Sequence, residues 1–402
     1  MTSFEDIRDK ERRFGARHYR PLPVALSRGE GCYVWDTDGH RYLDMMSAYS
    51  AVSHGHANPR LIAAMTRQAS RLGVVSRAFY TDRLAPFLEK LCAASGMDMA
   101  VPMNTGVEAV ETGIKAARKW AYEVKGVPAD RAGIIACRGN FHGRTIAAIA
   151  MSSEARYRKN FGPLPGGFNL IAYNDPRALY AAIDGNTAAF FVEPIQGEGG
   201  IIVPDDGYLA ECAEICRQHD VLLICDEIQT GLGRTGSFLA CEHDGIRPDG
   251  LMLGKALGGG LYPVSTFLAR RDILERFEPG DHGSTFGGNP LAAAIASEAL
   301  DILFEDGLIE NSATLGRYLA EALNALGSPL IRAVRGRGLL IGIDIDPQRA
   351  TARDVCERLM NNGILTKETH ETVVRLAPPL IIDQAAIDWA VARIGETLNA
   401  LT

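Results

Sequence analysis

The chain has 402 residues, 47% of them hydrophobic and 23% charged, with 42 Lys and Arg against 49 Asp and Glu for a net charge of −7. That length supports a large core and two domains, while the acidic balance excludes an overall basic footprint for nucleic acid or an anionic membrane surface. No apolar run approaches the ~20 residues needed to span a bilayer.

The N-terminal MTSFEDIRDKERRFGARHY mixes acids and bases and has no apolar stretch, so neither a secretory nor a transit segment fits. Eight scattered cysteines form no C-x-x-C pair and read as reduced, mostly buried thiols of a cytoplasmic protein. CYVWDTDGHRYLDM (32–45) alternates apolar and polar residues about Asp38-Gly39, which predicts a hairpin. NPRLIAAMTRQASRL and DRLAPFLEKLCAAS follow with helical periodicity.

From about 100 to 270, short apolar runs alternate with helical stretches. The runs are GIIAC, AAFFVE, VLLICDE, GLMLG and VSTFLA; between them lie GVEAVETGIKAARKWAYE, PRALYAAI and LAECAEICRQH. Near-continuous apolar strands separated by helices predict a mostly parallel sheet covered on both faces. From about 290 the pattern changes to two helical stretches, LIRAVRGRGLLIGIDID, a helix, VVRLAPPLII and a last helix. The expected class is α/β with a smaller α+β C-terminal domain, divided as 1–48, 49–289 and 290–402.

Polar residues cluster just after the predicted strands, where ligands of such sheets sit. VLLICDE ends with Asp226, GLMLG runs into Lys255, and AAFFVE reaches Glu193 with Glu198 shortly beyond. Singly, each has a bland reading as a cap, turn or solvated loop residue. Together they point to a site. Thr105 and Gly106, in MNTGVEAVETGIKAARKW, would start a helix whose free N–H groups and dipole favour a phosphate.

Other phosphate and catalytic patterns fail. A Walker A loop ending at Gly254-Lys255 would need glycine at 249, which is Asp, and Ser or Thr where Ala256 stands. GLGRTG (231–236) follows DEIQT and precedes no helical pattern, so it is a weak dinucleotide signal. His54-x-His56 lacks a third metal ligand at useful spacing, and no G-x-S-x-G elbow occurs. A lysine, a strand-end aspartate and a phosphate cradle together suit pyridoxal phosphate: the amine holds the cofactor and the carboxylate keeps the ring nitrogen protonated.

The blocks GARHYRPLPVAL, SAYSAVSHGH, SRAFY, MNTGVEA, GNFHGRT, VEPIQGEGG, DEIQTGLGRTG, GKALGGGLYPVS, HGSTFGGNPLA, VRGRGLLIG and RLAPPLII run in order along nearly the whole chain. They resemble the class III (ω-amino-acid) aminotransferases of pyridoxal phosphate fold type I. The resemblance implies that Lys255 carries the cofactor and Asp226 partners its ring nitrogen. It assigns Gln229 to the ring's 3′-oxygen, Phe141 to stacking, and Thr105, Gly106 and Val107 to the phosphate. Thr285 would reach the phosphate from a neighbouring subunit, which implies a homodimer with shared sites. Arg144 and Arg375 would receive substrate carboxylates, with Glu198 pairing with Arg375 and releasing it for a dicarboxylate. Tyr19 and Tyr49 would hold the α-amino and α-carboxylate end. NTGVEA, SRAFY and GLYPVS lean toward a branch that moves the δ-amino group of L-ornithine to 2-oxoglutarate. FHGR, with His142, is neutral between that branch and one using N-acetylornithine. The remaining rivals are an aminomutase or decarboxylase and a non-catalytic binding protein.

Overall fold

Asp36 closes the predicted hairpin by accepting at Oδ1 from the amides of Asp38 and His40, at 3.0 and 2.8 Å. The computed structural model describes residues 3–401. A strand not foreseen from sequence, β1 (Leu26–Glu30), pairs antiparallel with β2 (Tyr33–Asp36), which pairs in turn with β3 (Arg41–Asp44). Next comes the helix Pro59–Ala69, capped by Asn58 accepting from Arg60 N at 3.0 Å and started by proline, whose missing N–H costs nothing there.

The large sheet contains β4 (Met99–Met103), β5 (Gly133–Cys137), β6 (Phe168–Ile171), β7 (Thr187–Val192), β8 (Leu222–Asp226), β9 (Gly250–Leu253) and β10 (Ser265–Ala269). Their order is β4-β10-β9-β8-β7-β5-β6. The five apolar runs read as strands all lie in this sheet; β4 and β6 join them. Every residue of β7 and β8 is buried, which is why both read as unbroken apolar runs.

β10 alone runs against its neighbours β4 and β9. The link from β9 holds only the single turn Lys255–Gly258, too short a crossover to return the chain for a parallel strand. This reversal has a consequence for the site: the start of β10, not its end, meets the edge where the other strands finish. There Ser265 Oγ donates to Thr105 O at 2.7 Å.

The helix Gly106–Trp120 lies across β9 and β10, burying Ala109, Val110, Ile114 and Ala117. Gly113 permits this approach, since a Cβ there would stand 3.1 Å from Met252 Cε and 3.2 Å from the Phe267 ring. The helices Pro290–Glu305 and Leu308–Ala325 lead into the C-terminal part. There β11 (Ile331–Arg337), β12 (Leu340–Ile345), β14 (Lys367–Thr369) and β15 (Val373–Leu376) form an antiparallel sheet ordered β11-β12-β15-β14. The two-residue β13 (Ile364–Leu365) instead pairs parallel with β3, joining the last quarter of the chain to the N-terminal hairpin. Among the described residues no helix is long and apolar enough to cross a membrane.

Candidate active site

Five parallel strands deliver side chains to one edge. Beyond β4 begins the helix Gly106–Trp120; beyond β5 come Phe141 and His142; beyond β7, Glu193 and Glu198; at the end of β8, Asp226; beyond β9, Lys255. These line one cavity of about 200 Å³ with Val107, Gly143, Ile195, Ile228, Gln229 and Thr230. This is the placement expected for a ligand of a parallel sheet.

Lys255 sits at φ +42°, a left-handed conformation costly for a residue with a Cβ, and lines the cavity without a carboxylate ion-pair partner among the described residues. Burial pushes its ammonium below the usual lysine range, although Glu198 and Asp226 pull the other way. With its amide oxygen turned toward the cations, Gln229 accepts from Lys255 Nζ and Arg375 Nη1, each at 3.2 Å. Gly197 leaves room for this amide: a Cβ there would fall 1.5 Å from it.

Asp226 is fastened on both oxygens. Oδ1 accepts from Ile228 N at 3.1 Å, and Oδ2 receives His142 Nδ1 at 2.7 Å. His142 is fully enclosed, its ring edge-on to Phe191 at 6.4 Å, and its Nε2 has no partner among the described residues. Burial disfavours the imidazolium, but the hydrogen bond and charge of Asp226, with Glu193 behind, hold its pKa above the ordinary value. Glu193 is itself buried, and desolvation with the Asp226 charge lifts its carboxyl to about 7, against the His142 charge and the Phe141 N–H at 3.0 Å.

The phosphate cradle expected at residues 105–107 is present as a helix start. Glu108 accepts from Thr105 N at 2.7 Å and Asn104 N at 3.1 Å, completing a capping box with Thr105. That leaves the Gly106 and Val107 amides at the cavity wall. Thr105 is an exposed cap outside the cavity lining. An amine held toward its neutral form, a pinned carboxylate opposite and two helix-start N–H groups are the donor set pyridoxal phosphate requires. The residues fit the group.

Arg375 enters from β15 of the smaller sheet, 2% exposed, and Nη1 donates to Glu198 Oε1 at 2.7 Å. Desolvation would raise the Glu198 carboxyl, but the Arg375 and Lys255 charges outweigh it and keep it ionised. Thr369 Oγ1 holds Glu198 O at 2.9 Å. Tyr49 lies under the Arg375 guanidinium, 5.1 Å from the ring centroid. Arg144 is exposed, stacked 3.6 Å over Tyr157 and 5.2 Å from the Phe141 ring, outside the lining. Tyr19 is 71% exposed and Thr285 is exposed, so neither lines this chain's own cavity. Sequence pattern marks Glu193 only as a strand end and gives no partner for His142. The paired histidines diverge: His54 Nε2 meets Ala299 O at 2.9 Å, and His56 Nε2 meets Asp44 Oδ2 at 2.7 Å.

The model of the class-III aminotransferase family matches residues 14–398. An ornithine aminotransferase of Bacillus subtilis (strain 168) is 52% identical over 399 residues, covering 99% of each chain. One from Macrococcus caseolyticus is 51% identical over 399 residues, 99% of this chain and all of that protein. Among solved structures, an ornithine aminotransferase from Toxoplasma gondii with partial occupancy of PLP at its active site superposes with TM-score 0.98 and 45% identity, over 100% of this chain and 95% of that one. An acetylornithine aminotransferase from Elizabethkingia anophelis superposes with TM-score 0.90 and 43% identity, over all of both chains.

Proposed function

This chain belongs to the class-III aminotransferases, and we propose that it moves the δ-amino group of L-ornithine to 2-oxoglutarate, forming glutamate 5-semialdehyde and glutamate in two half-reactions. Pyridoxal phosphate, when bound, supplies an aldehyde that takes up the amino group and a ring that draws electrons from the adjacent carbon. The chain's own residues do the rest.

Lys255 Nζ, its proton loosened by burial, both holds the cofactor and carries a proton to and from the reacting carbon. Asp226, fixed by His142, would partner the ring nitrogen of the bound cofactor and keep it protonated. Gln229 would hold the 3′-oxygen, Phe141 would cover the ring, and the Gly106 and Val107 amides would take the phosphate with Thr105 at the same helix start. Arg144 and Arg375 receive carboxylates, and Tyr49 and Tyr19 receive the α-amino and α-carboxylate end of ornithine.

The observation that carries the ornithine reading is that Glu198, which lines the cavity with Lys255, pairs with Arg375 at 2.7 Å. A bare guanidinium there would draw the α-carboxylate of ornithine to the wrong end of the site. Neutralised by Glu198 it does not, and once released it takes the carboxylate of 2-oxoglutarate. The exposure of Thr285 and Tyr19 supports a homodimer in which each subunit completes its partner's site, as do Phe79, Tyr80 and Phe286 at 64%, 101% and 50% exposure. We extend the reading to a cytoplasmic enzyme divided as 1–48, 49–289 and 290–402.

The test is an absorbance scan of the cofactor-loaded protein mixed with L-ornithine, then with N-acetylornithine, without a 2-oxoacid. Rapid loss of the bound cofactor's visible band with ornithine is the expected result. A faster response to N-acetylornithine would move the substrate assignment to that compound.

A further inference from the structure

Four successive residues without glycine occupy the left-handed region: Ser47 at φ +43°, Ala48 at +48°, Tyr49 at +62° and Ser50 at +73°. Each puts Cβ close to the following carbonyl, so non-glycine residues visit this region singly and a run needs outside support. Strain of this kind persists where surrounding structure over-determines it, and it gathers at functional sites. The run carries Tyr49, the residue under the Arg375 guanidinium.

The support comes from three directions. Asp44 Oδ1 accepts from Met46 N and Ser47 N at 2.9 and 2.8 Å, fixing the entry. Ser47 Oγ donates to Ala377 O at 2.6 Å, and the flanking backbone is zipped to the same segment by Ala377 N to Met45 O and Leu380 N to Ser53 O, both 2.7 Å. The third support is Arg234, from the GLGRTG loop. It is completely buried, and among the described residues it has no ion-pair partner.

A buried guanidinium without a carboxylate is expensive unless its donors are spent elsewhere. Nη1 donates to Pro378 O at 2.6 Å and Leu339 O at 3.0 Å, and Nη2 donates to Ser53 Oγ at 2.9 Å and Ser47 Oγ at 3.4 Å, leaving Nε unpaired among the described residues. One side chain thus fastens the turn bearing Tyr49 to the chain leaving β15, the strand bearing Arg375. It is absent from the cavity lining.

We propose that Arg234 is a positioning residue for the substrate pocket: from outside the cavity it pins the left-handed turn 47–50 and so sets Tyr49 against Arg375. This rests on the ornithine reading for the identity of the substrate, though not for the geometry. Loosening the clamp lets Tyr49 leave the Arg375 guanidinium, weakening capture of the amino-acid end while leaving Lys255 and Asp226 in place.

The experiment is a double-mutant cycle on the cofactor-loaded enzyme. Arg234→Lys and the milder Ser47→Ala are each made in the native chain and in Tyr49→Ala, and bound cofactor and circular dichroism verify folding. Ser47→Ala keeps the test alive should Arg234→Lys fail to fold. In the native background each should raise KM for L-ornithine about 5–10-fold with kcat changed less than twofold. In the Tyr49→Ala background the same substitutions should change KM less than twofold. An unchanged KM in folded variants, or an equal rise with Tyr49 absent, overturns the proposal. Should the wild type turn over only N-acetylornithine, the substrate reading fails, and the same cycle run on that compound still decides the role of Arg234.

Discussion

Glu198, on the turn beyond β7 of the large sheet, and Arg375, on β15 of the smaller sheet, form an ion pair 177 residues apart in the chain and 2.7 Å apart in space. Arg375 is fixed in β15, whereas Glu198 rides on a glycine-rich turn between β7 and its following helix. On the proposed reading the carboxylate is the partner that moves. Glu198→Ala should therefore weaken the ornithine half-reaction at least about tenfold, the cost of exposing one buried charge, and leave the glutamate half-reaction nearly intact. Stopped-flow absorbance on each half-reaction reads this directly; equal losses would mean a static bridge.

Replacing Lys255 by Ala should remove turnover, by roughly 10²–10⁴-fold from proton transfer alone. In the cofactor-free protein the native amine should titrate below the usual lysine value of 10.5, because burial opposes its charge. Reaction of that amine with an acylating probe across pH gives its midpoint, and a normal lysine value would contradict the cavity as described.

His142→Phe keeps an aromatic edge against Phe191 but removes the donor on Asp226 Oδ2. A hydrogen bond to a charged group contributes about 1.5–3 kcal/mol, so kcat should fall about tenfold or more. His142→Asn can offer an amide N–H near the position of Nδ1 and should recover most of the loss. If Phe and Asn behave alike, His142 serves only to fill space.

Glu193 supplies a pH signature in the cofactor-free protein. Its folded pKa of about 7 lies above the ordinary value of 4.5, so the folded state binds the proton more tightly than the unfolded state. Its contribution is fully present below pH 4.5 and is lost as pH rises to about 7, a change on the order of 3 kcal/mol. Urea unfolding of the native protein and Glu193→Gln should therefore show the native chain losing ground to the variant across that window. Parallel profiles would refute the assignment.

Ala48 offers the reverse of the usual glycine penalty. It is exposed and left-handed, at φ +48° and ψ +49°, so Ala48→Gly removes backbone strain and gives up no buried contact. Denaturant unfolding should show a gain of about 0.5–1 kcal/mol, where a right-handed helical position would show a loss of similar size.

What could be read from the sequence was what short-range pattern dictates. The apolar runs of β5, β7, β8 and β9 announce buried parallel strands, and Asp226 and Lys255 follow from where those runs stop. The helix start at Thr105 and Gly106 is a local signal, and the ordered motif blocks point to the family. Arg234 shows the other side. In sequence it belongs to a weak dinucleotide-motif match, yet its partners Ser53, Leu339 and Pro378 lie 181, 105 and 144 residues away. The reversed β10, the two-residue β13 and the left-handed turn at 47–50 were equally silent. Local propensity weighs against four left-handed residues in succession, and only hydrogen bonds from distant segments hold them there. Sequence by itself determined the strands and the reactive groups at their ends, because periodicity and caps act within a few residues. The tertiary structure alone decided how His142 grips Asp226 and how Tyr49 meets Arg375, because those contacts exist only once remote segments are packed.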